Sequence, residues 1–131
     1  MLTKRARSGF TLLELLLAVM IFSLAILTTF GAFNFSLRVA NNAKNLTVAA
    51  NLAQGEVEKI RELSFQGLSI NTNPSPQPTD KLPGGFVKVY VDYFMGDTKI
   101  KIVTVKVYWN DRPESNALTA VTLVSEGGVT N

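Results

Sequence analysis

The feature that most constrains this chain is an apolar run near its start that contains a single charge. The run FTLLELLLAVMIFSLAILTTFGAF, residues 10–33, has one charged side chain, Glu14, among 24 residues. As an α-helix it is about 36 Å long, which is enough to cross the hydrocarbon core of a bilayer. A carboxylate near the centre of such a helix costs about 2.5–3.5 kcal/mol, and less near an end. We therefore expect a membrane-spanning helix whose glutamate has a cationic partner.

Basic residues flank this run on its N-terminal side. Lys4, Arg5 and Arg7 account for the formal net charge of +3, since the remaining residues carry ten basic and ten acidic side chains. A basic cluster just before an apolar span marks the cytoplasmic flank of a membrane segment. We therefore predict a single-pass chain with a cytoplasmic N-terminus and its C-terminal part on the other side of the membrane.

The chain contains no cysteine and no histidine. This composition excludes a disulfide framework, a Cys/His metal site and the Ser–His or Cys–His pairs of nucleophilic catalysis. No paired carboxylates and no phosphate-binding loop stand out in the sequence. We predict a protein that is not an enzyme and that uses no metal or cofactor.

The order of residues at the start of the apolar run is distinctive. A basic leader, residues 1–9, ends in Gly9; Phe10 follows, and Glu14 stands five positions after the glycine. This arrangement resembles the prepilin signal of type IV pilins and type II secretion pseudopilins. The resemblance is specific over residues 4–22.

The resemblance implies a cleavage and a modification at the end of the leader. In that family a prepilin peptidase cuts after the glycine, on the cytoplasmic side, and methylates the new amino terminus. Carried over to this chain, the cut falls between Gly9 and Phe10, and Phe10 becomes N-methylated. The basic residues Lys4, Arg5 and Arg7 belong to the leader that is removed.

The resemblance also implies a partner for Glu14. In the family, a glutamate at this place pairs with the charged amino terminus of a neighbouring subunit as subunits stack. A carboxylate and an ammonium group brought together offset part of each other's desolvation, whereas either group alone is costly in lipid. Because this chain keeps the glutamate, we expect a subunit with neighbours rather than the extreme tip of a filament.

Two other interpretations of the apolar run stay open at this point. A secretory signal peptide has a shorter apolar region, followed by small residues at its cleavage site. A plain membrane anchor needs neither Gly9 nor Glu14, and its glutamate reaches back to the cytoplasmic headgroups. An ordinary single-span membrane protein of this kind is not cleaved.

The helix is expected to continue past the membrane to about residue 65. Apolar residues recur there at spacings typical of one face of an amphipathic helix. They are Val39, Ala43, Leu46, Ala50, Ala53, Val57, Ile60 and Leu63. A coiled coil and packing on a sheet both fit this stripe, and the strands that follow favour the sheet.

A proline-rich loop and three strands are predicted after the helix. Prolines at every second position exclude a central strand from residues 66–83, and we expect this loop at the surface. Alternating apolar residues then predict strands at 85–95, 98–110 and 117–126, with a turn at Gly96-Asp97. In the second strand the apolar residues change from even positions to odd positions at Ile102-Val103. This change predicts a bulge there.

These elements predict an α+β fold of the type IV pilin kind. One long N-terminal helix, about 10–65, packs its C-terminal half on a three-stranded antiparallel sheet. The predicted parts are a leader (1–9), the transmembrane and assembly half of the helix (10–33), its amphipathic half (34–65), the proline-rich loop (66–83) and the sheet (84–131).

The predicted function is structural. We expect a minor pilin-like subunit of a type IV pilus, stored in the bacterial inner membrane with its C-terminal domain in the periplasm. Its expected partners are prepilin peptidase, other pilin or pseudopilin subunits, the inner-membrane assembly platform and the membrane itself. A minor pseudopilin of a type II secretion system is the alternative within the family. The lack of cysteines favours a minor subunit, because major pilins often close their C-terminal loop with a disulfide.

Two binding functions are alternatives of a different class. A DNA-uptake subunit needs a surface basic stripe, for which the strand lysines Lys99, Lys101 and Lys106 are candidates, although nucleic acid is not an expected partner. Calcium binding needs oxygen ligands from turns. The turn carboxylates are Asp92, Asp97, Asp111 and Glu114, and we expect them to be solvated.

Overall fold

The computed structural model describes residues 9–127 and shows, within them, one long helix followed by an antiparallel sheet. Helix α1 comprises Leu12–Glu62, and two short 3-10 helices lie at Phe65–Gly67 and Glu114–Asn116. The strands are β1 (Gln77–Thr79), β2 (Gly85–Phe94), β3 (Asp97–Tyr108) and β4 (Leu118–Ser125). The predicted α+β class, with a long N-terminal helix and an antiparallel sheet, is confirmed.

The described residues divide into two units, 9–41 and 42–127. In the described part of the first unit, residues 9–41, every side chain is exposed, including the large apolar ones. Helix α1 is long and apolar enough there to cross a membrane. The second unit contains the rest of α1, the loop and the sheet, and it holds the hydrophobic core.

The C-terminal half of α1 packs on the sheet through small side chains. Ala49 and Ala53 are 0% and 1% exposed, and Ile60 follows them into the core. Alanine lets the helix backbone approach the strands closely, so packing on a sheet, rather than in a coiled coil, is what the structure shows. The predicted stripe is correct at Ala53 and Ile60 and wrong at Ala50, because Ala49 is the buried residue there.

The strands form a meander in the order β1-β2-β3-β4, with each neighbouring pair antiparallel. The centre of the core is β3, where Val103, Val105 and Val107 are all 0% exposed. Branched valines at alternate positions pack well on a pleated surface, which explains this strand's place in the middle. Trp109 follows the last residue of β3 directly and is 2% exposed.

The predicted strand count was wrong, because the proline-rich loop supplies a fourth strand within the described residues. Gln77, Pro78 and Thr79 pair with the beginning of β2. A proline lacks the N–H that a central strand needs, but an edge strand tolerates it. The prediction that these prolines exclude a central strand therefore holds, and the error was to treat the whole segment as a loop.

The predicted hairpin turn was misplaced by one residue. Phe94 pairs with Asp97, so the two residues of the turn are Met95 and Gly96. Both have positive φ, 51° and 81°. Positive φ at both positions matches the twist of a two-residue hairpin, although methionine, unlike glycine, adopts it at a cost.

The bulge predicted near Ile102-Val103 is absent from β3, whose pairing with β2 and β4 is continuous through these residues. The register shift lies instead between Tyr93 and Phe94. Along β3 the core-facing positions continue back to Lys101, which is only 6% exposed. The parity switch in the sequence arises because a lysine, rather than an apolar residue, takes the inward position.

The loop between α1 and β2 is held against the core at several points. Leu68 and Leu82 are buried, and Asn71 exchanges two backbone hydrogen bonds of 2.9 Å with Val91. The loop ends at Gly84, whose φ is +60° and whose missing Cβ leaves room for the Asn110 side chain. A side chain at Gly84 would be strained and would collide with Asn110.

Candidate functional site

The start of α1 is capped by a threonine that the sequence predictions did not use. Thr11 precedes the first helical residue, and its Oγ1 accepts a hydrogen bond of 3.3 Å from the Glu14 backbone N–H. The Thr11 carbonyl also accepts from Leu15 N at 3.1 Å. Threonine at the N-cap with glutamate three residues later is the spacing of a capping box, which the sequence already displays. Glu14 therefore stands in the first turn, where the helix dipole favours a negative charge.

The carboxylate of Glu14 has no ion-pair partner among residues 9–127. It is exposed, and it is the only charged side chain between Phe10 and Leu37. The neighbouring apolar side chains are also exposed, with Leu13 at 68% and Leu15 at 58%. A lone carboxylate at one end of an exposed apolar helix is a charge that lacks a partner within its own chain.

The serine and threonine hydroxyl groups in the apolar part of α1 bond to the helix itself. Ser23, Thr29 and Ser36 each donate a hydroxyl hydrogen bond of 2.7–2.9 Å to a carbonyl one turn earlier, and Thr28 does the same. A membrane offers no water for such groups, so internal bonding is what a lipid environment requires. The single apolar helix therefore fits membrane association.

The predicted cleavage residues lie just before the helix, outside any helix or strand. Gly9 and Phe10 are both exposed, and Phe10 has 77% of its surface accessible. A Cβ built on Gly9 meets no atom of the described residues within 4 Å. The described residues therefore leave room for a side chain at this position. Lys4, Arg5 and Arg7 lie outside the described residues.

The turn carboxylates do not form a metal site in the part of the chain that the structure describes. Asp92 accepts from the Tyr93 backbone N–H and Asp97 from that of Lys99, both at 2.8 Å. These carboxylates are thus used locally, in the turn at the end of the β2–β3 hairpin.

Glu114 is bound on the outer face of the sheet, away from α1. Lys88 Nζ donates to its two carboxylate oxygens at 2.8 and 2.9 Å, and Tyr90 donates its hydroxyl at 3.1 Å. The Lys88 bond, followed by the Tyr90 bond, holds the pKa of Glu114 below its usual 4.5. The same Glu114 bond raises the pKa of Lys88 above 10.5. Burial is the main cause of the raised pKa of Tyr90.

The three strand lysines do not form one basic stripe. Lys99 is exposed and Lys106 lies on the outer face, over the ring of Tyr90. Lys101 points to the opposite side, where its Nζ donates to the carbonyl oxygens of Phe65 and Leu68. Lys101, which lies between Lys99 and Lys106 along the strand, is therefore unavailable to a ligand on the sheet surface.

Comparison with known proteins identifies the N-terminal segment. Residues 4–30 match the family model described as the prokaryotic N-terminal methylation motif. No curated protein and no solved structure matches the chain. The match covers the basic leader, Gly9, Phe10, Glu14 and most of the apolar run.

Proposed function

We propose that this chain, which carries the prepilin-type methylation motif of type IV pilins and pseudopilins, is a minor pilin-like structural subunit of a type IV pilus. The motif supports a pilin-like or pseudopilin-like subunit, and it implies processing by a prepilin peptidase and assembly with other pilins. The finer assignment to a pilus, and to a minor subunit, is our proposal. It is supported by the small sheet and by the absence of cysteine.

The observation that carries the proposal is the unpaired carboxylate of Glu14. Cleavage between Gly9 and Phe10 would create a new ammonium group four residues before it, at the same end of the apolar helix. Either charge alone is costly in lipid, whereas a carboxylate and an ammonium from adjacent subunits offset part of each other's desolvation. A wrong stagger between subunits leaves both charges unpaired, so the pair also favours one register.

The geometry at Gly9 supports recognition by a peptidase. The described residues leave space for a side chain there. A requirement for glycine would then come from the enzyme that binds this segment, and methylation of the new terminus at Phe10 would follow the cut.

The membrane orientation is part of the same proposal. The basic leader residues Lys4, Arg5 and Arg7 favour a cytoplasmic N-terminus by the charge bias of membrane segments. The sheet would then lie in the periplasm before assembly and on the filament surface afterwards. In this arrangement the inner membrane stores the subunit, an assembly platform extracts it, and the chain has a structural rather than a catalytic role.

A minor pseudopilin of a type II secretion system is the alternative, and the same motif supports it. The neighbouring genes separate the two: retraction-motor genes indicate a pilus, and secretin genes together with exoprotein genes indicate secretion. A DNA-uptake subunit is less well supported, because Lys101 is buried and Lys88 is bound to Glu114.

The proposal is tested by incorporation of variants into sheared filaments. We expect Glu14→Gln to be cleaved and held in the membrane, but to enter filaments at least about tenfold less, because removing one partner of a buried pair costs about 3–5 kcal/mol. Glu62→Gln, at the other end of α1, is the matched control and should assemble normally.

A second variant separates the ion pair from helix capping. Thr11→Ala removes the Oγ1 that accepts from Glu14 N–H but leaves the carboxylate in place. We expect it to assemble much better than Glu14→Gln. Equal incorporation of Glu14→Gln and the unmodified chain would contradict the proposal. If Thr11→Ala loses as much incorporation as Glu14→Gln, the effect comes from helix capping and not from an ion pair.

A further inference from the structure

The two edges of the sheet differ in how well they are protected. The β1 edge is three residues long and contains Pro78, both of which discourage pairing with another strand. The β4 edge is eight residues long. Its sequence, LTAVTLVS, contains no charged residue and no proline. Val121 and Leu123 on this strand are 57% and 49% exposed. An open edge of this kind is a template for another strand.

The hydrogen-bond pattern shows which backbone groups of β4 face outward. Glu126 N–H donates to the Lys99 carbonyl, one step beyond the last ladder pair. Bonded pairs alternate along an antiparallel ladder, so the even-numbered residues of β4 bond to β3 and the odd-numbered ones point away. The N–H and C=O groups of Thr119, Val121 and Leu123 therefore face the open edge, and none has a backbone partner among residues 9–127.

Two grooves run between this edge and the C-terminal turns of α1. The first has a volume of about 370 Å³ and lies between Ala53, Val57 and the strand residues Leu118 and Ala120. The second has a volume of about 590 Å³ and lies at the end of the strand. Arg61 lines both grooves, and its guanidinium donates to Thr122 Oγ1 at 3.5 Å. The edge and the grooves together form a trough beside β4.

The charge of this trough is negative. Three carboxylates line it, Glu58, Glu62 and Glu126, against the single guanidinium of Arg61. None of the three forms an ion pair within residues 9–127, and Glu58 only accepts a hydrogen bond of 3.2 Å from Gln54. Glu58 and Arg61 lie three residues apart on α1 but form no ion pair, and Arg61 donates to Thr122 instead.

We propose that the edge of β4 binds an extended, basic segment of another protein chain by strand addition. The backbone of such a segment satisfies the outward groups of Thr119, Val121 and Leu123, and its alternate side chains enter the trough. Lysine or arginine at these alternate positions meets the unpaired carboxylates. A second copy of β4 is a poor occupant, because it lacks charge and brings its own acidic trough alongside the first.

The test measures binding of two peptides to the full chain in nonionic detergent by fluorescence anisotropy. One peptide alternates valine with lysine, and the other alternates valine with glutamate. We expect the lysine peptide to bind at least about tenfold more tightly, because like charges across an interface oppose binding. Hydrogen exchange should slow at the amides of Thr119, Val121 and Leu123 when this peptide is added.

Variants locate the binding on the chain. Val121→Pro removes one outward N–H without removing a bond to β3, and we expect it to lower the affinity at least about tenfold; Val121→Thr keeps the N–H and should bind normally. If Val121→Pro fails to fold, the test uses a variant in which all three trough carboxylates are replaced. It combines Glu58→Gln, Glu62→Gln and Glu126→Gln, and we expect it to bind the lysine peptide more weakly. Glu56→Gln, which lies outside the trough, is its control.

Three results would overturn the proposal. They are equal binding of the two peptides, protection of amides other than those on the β4 edge, and unchanged affinity in the three-carboxylate variant. Protection of the edge amides that depends on protein concentration, without any peptide, would show instead that two copies pair with each other. Each result is independent of whether the chain is cleaved or enters a filament.

Discussion

Lys101 and Leu68 are joined by a hydrogen bond of 2.6 Å from the lysine Nζ to the main-chain carbonyl oxygen of Leu68. The same Nζ donates to the Phe65 carbonyl at 2.7 Å and lies 4.1 Å from the centre of the Phe65 ring. These contacts replace the water that an exposed ammonium would bind. They tie the segment that follows α1 to the middle of the sheet.

Removing this ammonium should destabilise the globular unit. Lys101→Met keeps the length of the side chain but removes the ammonium that donates to the Leu68 carbonyl. It also removes the shorter of the two hydrogen bonds to the Phe65 carbonyl, which still accepts from Leu68 N–H at 3.4 Å. We expect a loss of about 1–3 kcal/mol in the free energy of unfolding, the usual cost of an unsatisfied buried polar group. Chemical denaturation in detergent measures it. Lys99→Met, at an exposed position of the same strand, should change the free energy by less than about 0.5 kcal/mol. Equal effects of the two substitutions would contradict this role for Lys101.

The hairpin turn offers a stabilising substitution. Met95 has a φ of 51°, a conformation that costs most L-residues about 1–2 kcal/mol, and its side chain is 91% exposed. Met95→Asn creates the Asn-Gly pair that such turns prefer and loses no packing. We expect a gain of about 0.5–1 kcal/mol, read as a higher thermal unfolding midpoint. Met95→Leu should show no gain, and an unchanged midpoint for Met95→Asn would show that the turn is not strained.

The link between Lys88 and Glu114 predicts a dependence of stability on pH. Because the pKa of Glu114 is below 4.5 in the folded chain, its contribution is complete above pH 4.5 and disappears as the pH falls through the folded-state value. Because the pKa of Lys88 is raised above 10.5, the contribution of Lys88 is complete below that pH and is lost at higher pH.

Glu114→Gln should flatten the acid side of this profile. Unfolding measured over a series of pH values should show the unmodified chain losing more stability below pH 4.5 than the variant. Asp111→Asn, a nearby exposed carboxylate with no bond to Lys88, serves as the control. Parallel profiles for Glu114→Gln and the unmodified chain would mean that the bond adds nothing in solution.

The sequence predicted the fold class well because two strong periodicities specify it. The apolar run and the amphipathic stripe predict α1, and alternating apolar residues predict β2, β3 and β4. The fourth strand was missed because Pro78 argues against pairing, yet an edge needs only one bonded side. The bulge was predicted wrongly because the prediction assumed that every inward-facing residue is apolar. Lys101 faces inward because its ammonium bonds to two carbonyls, and no local sequence pattern reveals those bonds.

The residues proposed for processing and assembly were chosen from the sequence alone, and the capping by Thr11 was not predicted. Gly9, Phe10 and Glu14 were chosen by their order in the chain, and the motif match covers them. The bond from Glu14 N–H to Thr11 Oγ1 follows a spacing that the sequence contains, so it was predictable. The open edge of β4 was not, because unpaired backbone groups depend on which strands become neighbours.

The most direct test of the central claim is the intact mass of the chain from cells with and without prepilin peptidase. We predict loss of residues 1–9 and gain of one methyl group only when the peptidase is present. Gly9→Val should stay uncut in both strains although the fold has room for its side chain. An uncut chain in both strains would contradict the account, because Glu14 would then lose the ammonium group proposed as its partner.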